Sequence, residues 1–198
     1  EPLPDGFRYA EFNNLDSVKA IMDEYVCAIL TEPVQGEGGV RPASREFLQG
    51  LRELCDEKGI LLMFDEVQVG SGRTGKLFAH QYYGVEPDTC SMAKALGSGV
   101  PIAAVCAKGE AAKVLTPGTH GSTFAGGPLA CALAATTLDV MLNEGVLDNC
   151  AEMGEYFRQQ AHEVIEKHHP NAIQEIRGLG LIDGIQLKHP SGQPVVDL

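Results

Sequence analysis

Apolar positions change period several times along the chain, and each change marks an element. Residues 15–24 (LDSVKAIMDE) read as a short helix, and residues 25–33 (YVCAILTEP) as a buried strand. Ser44, a good N-cap, opens SREFLQGLRELCDEKG; Phe47, Leu48, Leu51, Leu54 and Cys55 then recur at helical spacing, and Gly59 stands at the C-cap. A continuous apolar run of strand length, ILLMFDEV, ends in two acids. FAHQYYG predicts a short helix, DTCSMAK and PIAAVCAK two strands, and EAAKVL a helical turn or two. A long helix is expected over GPLACALAATTLDVMLNEG, with Pro128 near its start and Gly145 past its end. The next segment, LDNCAEMGEYFRQQAHEVIEKHH, is amphipathic, with Leu147, Cys150, Ala151, Gly154, Phe157, Ala161, Val164 and Ile165 on one stripe. LGLIDGIQLK reads as a closing strand.

Apolar strands alternating with helices predict an α/β fold, a mostly parallel sheet with helices on both faces. Ligands of such sheets bind beyond the carboxyl ends of the strands, where Asp65 stands. Residues 1–145 are expected to form part of a large domain, and 146–198 a connecting helix and the start of a smaller one.

Composition narrows the function. The 44% hydrophobic and 21% charged residues are ordinary globular values. A net charge of −12 argues against nucleic acid and anionic membranes as partners. Six scattered cysteines without a C-x-x-C pair predict buried, reduced thiols in place of a disulfide frame or metal site, and hence a reducing, cytoplasmic setting. The chain opens on EPLPDGF and stops on PSGQPVVDL, which reads as a piece of something longer.

DEVQVGSGRTGKL satisfies G-x-G-x-x-G at Gly70, Gly72 and Gly75, and nearly satisfies the phosphate-binding P-loop. Four residues, Asp65 to Gln68, separate strand from glycines, and Leu77 replaces the P-loop hydroxyl, so a glycine-rich turn is the better reading. Downstream, Lys94 is the only charged residue between Thr89 and Ala107. Small and apolar neighbours predict a desolvated amine with a lowered pKa, suited to Schiff-base chemistry. Ser122 and Thr123 precede a Gly-Gly-Pro helix start, where hydroxyls and free N–H groups suit an anion such as phosphate. Pyridoxal phosphate needs an amine, a carboxylate for its ring nitrogen and a phosphate cradle; Lys94, Asp65 and Thr123 offer those three.

EPVQGEGG, FDEVQVGSGRTG, SMAKALGSGVP and GSTFAGGPLACA, in this order and spacing, resemble the class III (ornithine-type) pyridoxal-phosphate aminotransferases, with acetylornithine and succinylornithine aminotransferases most alike. FLQGLRELCDEKG, YYGVEPD and IRGLGL add to the likeness. The resemblance implies the type I, aspartate-aminotransferase-like fold and a homodimer with active sites at the subunit interface. It implies amino transfer from N-acetylornithine or a related ω-amino donor to 2-oxoglutarate, in arginine biosynthesis. Succinylornithine, ornithine and 4-aminobutyrate are alternative donors; a non-catalytic fold fragment and a nucleotide-dependent enzyme are the contrasting readings.

On the matching positions, the resemblance makes Lys94 the lysine that holds the cofactor and moves the proton. Asp65 would pair with the pyridine nitrogen, Val67 pack on a ring face, and Gln68 bond near the ring hydroxyl. Glu66 and Glu32 share the motifs, Glu66 within the cofactor-facing run but with a structural part. Thr123 would bind the phosphate of the neighbouring subunit's cofactor, with Ser122 close to the substrate. Glu37 resembles the acid that pairs with a substrate-carboxylate arginine and moves aside for glutamate. Arg73 is expected in a loop ion pair. Members of the family run to roughly twice this length, so the likeness is to their central half.

Overall fold

The computed structural model describes residues 5–188. Helix α1 (Leu15–Ala20) is followed by β1 (Ala28–Thr31), a small hairpin of β2 (Val34–Gln35) and β3 (Arg41–Pro42), α2 (Arg45–Lys58) and β4 (Leu61–Asp65). Then come α3 (His80–Tyr83), β5 (Thr89–Met92), a 3-10 turn at Lys94–Gly97 and β6 (Ala104–Ala107). Helices α4 (Pro128–Asn143) and α5 (Val146–His168) lead into β7 (Ile173–Leu179) and β8 (Ile182–Leu187).

The central sheet has the order β1-β4-β5-β6. Its first three strands are parallel, in register Leu30↔Met63 and Phe64↔Cys90, while β6 runs antiparallel with Cys90 opposite Cys106. Strand alternation puts Leu62, Phe64, Cys90 and Met92 on one face and Met63, Asp65, Thr89 and Ser91 on the other. The first face is the core. Phe47, Leu48, Leu51, Leu54 and Cys55 of α2 lie against Leu62, Phe64 and Tyr83, at 0–7% exposure. Each large aliphatic side chain buried there contributes about 1.5–3 kcal/mol. The expected caps hold α2 in place: Ser44 Oγ accepts Phe47 N–H at 3.0 Å, and Gly59 has φ +66°. Asp88 fixes the entry to β5 by accepting from Leu62 N–H and Arg52, both at 2.8 Å. Burial opposes the Asp88 charge, but those two donors outweigh it and hold its carboxyl below the usual range.

Several expectations change. Residues 179–188 do not form one strand: Gly180, at φ +55°, turns the chain, so β7 and β8 make an antiparallel hairpin that begins earlier. Helix α1 stops at Ala20. On the second sheet face, Leu30 and Val105 are 63% and 61% exposed, so the described helices bury mainly one side. Of the thiols, Cys55, Cys90 and Cys150 are buried as expected, whereas Cys27, Cys106 and Cys131 are exposed. Buried positions of the α5 stripe are Cys150 and Gly154 alone, and Phe157 and Val164 face outwards. Apolar almost all round, α4 buries only Ala134 and Met141; it meets α5 at 67° across Gly145. Residues 189–198, the end of the expected second domain, lie outside the described residues.

Candidate functional site

Two strands end side by side and bring the chemistry together. Asp65 closes β4 beside Ser91 of β5, half-buried on the less covered face. Its Oδ1 accepts Val67 N–H at 2.9 Å and the Ser91 hydroxyl at 3.1 Å. Both bonds fall on one oxygen, so the carboxylate is oriented while Oδ2 stays available to a further donor. Sequence alone does not single out Ser91, since an isolated serine inside a strand gives no signal of its partner on the neighbouring strand.

Strand β5 ends at Met92, and Lys94 opens the 3-10 turn with φ +44°. A non-glycine residue in the left-handed region is strained, and such strain gathers at functional sites. Lys94 is exposed, which corrects the expectation of a desolvated amine. Its larger apolar neighbours face the core instead: Leu96 and Met92 pack with Ala134 of α4, leaving the lysine on the open side. Lys94 shares a cavity of about 270 Å³ with Gln68, Arg73, Ala95, Leu181 and Ile182. A second hollow, lined by Phe78, His80, Cys90 and Cys106 among others, lies at the opposite end of β5.

Glu66 parts from Asp65. It is 1% exposed on the core side, where it accepts the N–H groups of Ala79 and His80 and pairs with His80 Nδ1 at 2.8 Å. Its oxygens are consumed in starting α3, so its part is structural and it leaves the cofactor-facing set. Val67 and Gln68 remain half-buried beyond the strand end. Gln68 Nε2 donates to Glu37 Oε1 at 3.4 Å, joining two expected site residues 31 positions apart. Glu32 accepts Gly36 N–H at 3.1 Å and shapes the turn that carries Glu37.

Ser122 and Thr123 stand apart, exposed in the loop before α4, with neither side chain bonded to Asp65 or Lys94 among the described residues. The N-terminus of α4, with Pro128 at its first position, has no side-chain cap, so its first N–H groups are open.

The glycine-rich loop proves to be a docking surface. A Cβ on Gly75 would lie 2.9 Å from Ala151 Cβ in α5, and one on Gly180 2.5 Å from the Thr74 carbonyl carbon. Leu181 N–H donates to Arg73 O at 3.0 Å, and Arg73 Nη1 reaches back to Leu181 O at 3.5 Å. Arg73 therefore grips the hairpin turn, with no carboxylate partner among the described residues, in place of the expected ion pair. No group of His, Cys, Asp or Glu side chains suited to a metal ion occurs among the described residues.

Comparison with known proteins shows what the chain is similar to. The family profile described as Aminotransferase class-III matches residues 7–197. An acetylornithine aminotransferase of Methanocaldococcus jannaschii is 49% identical over 187 residues, 94% of this chain and 46% of that protein. Acetylornithine aminotransferase 1 of Bradyrhizobium diazoefficiens is 50% identical over 197 residues, 100% of this chain and 48% of its own length. Among solved structures, an ornithine aminotransferase from Toxoplasma gondii, whose active site holds pyridoxal phosphate at partial occupancy, superposes with a TM-score of 0.88 at 39% identity, covering 95% of this chain and 44% of that one. N-acetylornithine aminotransferase from Stenotrophomonas maltophilia gives 0.85 at 37% identity, with 98% and 50% coverage. The chain thus spans about half the length of the curated relatives it matches.

Proposed function

The chain belongs to the class-III aminotransferases, and we propose that it supplies the central, cofactor-facing part of a pyridoxal-phosphate-dependent transaminase. The observation that carries this reading is Asp65, whose Oδ1 is held by two donors while Oδ2 is open, beside the strand that leads to Lys94. That donor set fits the reacting end of the cofactor: an acceptor for the pyridine N–H and an amine for the aldehyde. Bound there, pyridoxal phosphate supplies an electron sink for bond breaking at the substrate's amino carbon.

The chain's own groups do the rest. Asp65 Oδ2, negatively charged, would stabilise a proton on the ring nitrogen. Lys94 Nζ holds the cofactor and then carries the proton to and from the substrate carbon, a general acid–base role. Val67 would cover the ring, Gln68 bond beside its hydroxyl, and Glu37 pair with the arginine that takes a substrate carboxylate. Ser122 and Thr123 serve the substrate and phosphate of the opposite subunit in a homodimer, a reading supported by their separation from Lys94. Exposed Leu129 and Leu142 on the apolar α4 support the same association. Residues 1–145 are proposed as the large domain and 146–198 as the beginning of the small one. Six unpaired cysteines favour a cytoplasmic enzyme.

N-acetylornithine is the proposed donor and 2-oxoglutarate the acceptor, in arginine biosynthesis, supported by relatives near 50% identity. The full-length protein is expected to be yellow and to form glutamate from 2-oxoglutarate with N-acetylornithine at least tenfold more efficiently than with ornithine or 4-aminobutyrate. Equal or better turnover with ornithine would reassign the donor, and a colourless, inactive full-length protein would remove the transaminase reading.

A further inference from the structure

The turn that carries Glu37 is held in an unfavourable shape. Val40 has φ +50°, a conformation that β-branched residues rarely adopt, and such a residue persists only where its surroundings fix it. Gly39 N–H and Val40 N–H both donate to Gly36 O, at 3.1 and 3.0 Å, closing the turn tightly. Its outward carbonyls then meet one side chain. Arg177 of β7, 16% exposed, gives Nε to Val40 O at 2.9 Å and to Gly39 O at 3.1 Å, with Nη2 on Gly39 O at 2.6 Å. The remaining nitrogen, Nη1, is anchored by Gln186 Oε1 at 2.6 Å and Glu175 Oε2 at 2.9 Å. The fork is therefore fixed on the hairpin at one side and clasps two consecutive carbonyls at the other, a task that a lysine's single ammonium performs poorly.

We propose that Arg177 is a positioning residue that latches the Gly36–Val40 turn and so holds Glu37 beside Gln68, setting the preference between substrates with one carboxylate and those with two. The inference rests on the transaminase reading above. A donor with one carboxylate tolerates the Glu37 charge at its far end, whereas glutamate brings a second carboxylate that Glu37 repels. With the latch intact the turn favours the first class. Without it, the strained Val40 relaxes, Glu37 leaves its seat, and the discrimination weakens.

Arg177→Gln and the milder Arg177→Lys, made in the full-length protein, test this in two ways. Amide hydrogen exchange at Gly39 and Val40 in the cofactor-free protein is expected to quicken about tenfold in Arg177→Gln. In the loaded enzyme the ratio of kcat/KM for N-acetylornithine to that for glutamate is expected to fall at least fivefold, with Arg177→Lys moving the same way. In a Glu37→Gln background, adding Arg177→Gln should change the ratio less than twofold, because the group through which Arg177 acts has lost its charge. Unchanged exchange overturns the latch. Quickened exchange with an unchanged ratio, or an equal shift in the Glu37→Gln background, overturns the specificity role. A wild-type enzyme that transaminates neither donor overturns the functional reading instead, and the exchange result still decides the latch.

Discussion

Replacing Lys94 with alanine in the full-length protein is expected to lower transaminase turnover by about 10⁴-fold or more, since both the cofactor's anchor and the proton carrier go. Folding should survive, because Lys94 is exposed and alanine tolerates φ +44° no worse than lysine. Borohydride treatment of the wild type should leave a pyridoxyl mass on the peptide that contains Lys94, and none on the same peptide of the variant. A label on Lys76 or Lys108 would assign the chemistry to a different amine.

Asp65→Asn is the second large effect. The amide keeps an oxygen for Val67 N–H and the Ser91 hydroxyl, so the strand end should hold its shape. What disappears is the negative charge on the open oxygen, and with it the stabilisation of a protonated ring nitrogen. Loss of one preorganised electrostatic partner of this kind lowers kcat by about 10²–10³-fold. Spectral titration should show the cofactor still bound, though with altered absorption. A near-normal kcat would mean that another acid holds the ring.

Much of this was legible in the residues. Helix α2 could be read because its cap, stripe and C-terminal glycine all agree, and β4 because eight apolar-to-acid residues leave few alternatives. Asp65 stands out by its place at the end of an apolar strand, and Lys94 by the poverty of charge around it. Long-range facts were not legible. Nothing local says that Ser91 will orient Asp65, that Glu66 will cap α3 thirteen residues on, or that Arg177 will reach a turn 138 positions earlier. The hairpin was missed because LGLIDGIQLK has the apolar content of one strand, and its turn depends on Gly180 fitting against the Thr74 backbone, a contact between distant segments. Lys94 reads as desolvated from sequence yet lies exposed for a related reason: neighbours in sequence alternate in direction, so their apolar character says little about what covers a given side chain.

The division of the cysteines gives the fold a clock of its own. Cys27, Cys106 and Cys131 meet solvent, whereas burial pushes the Cys55 thiol up to about 11 and, with Cys106 alongside, the Cys90 thiol up to about 12. Thiolate is the reactive form, so near neutral pH an alkylating reagent should modify three thiols promptly and reach Cys55, Cys90 and Cys150 only as the chain opens. Cys55 sits in α2 and Cys90 in the central sheet, while Cys150 lies in α5 with its Sγ on Arg73 O. Their order of labelling would therefore time the parting of α5 from the glycine loop against the melting of the sheet, without any introduced probe. Simultaneous labelling of all three would mean that the two come apart as one cooperative unit.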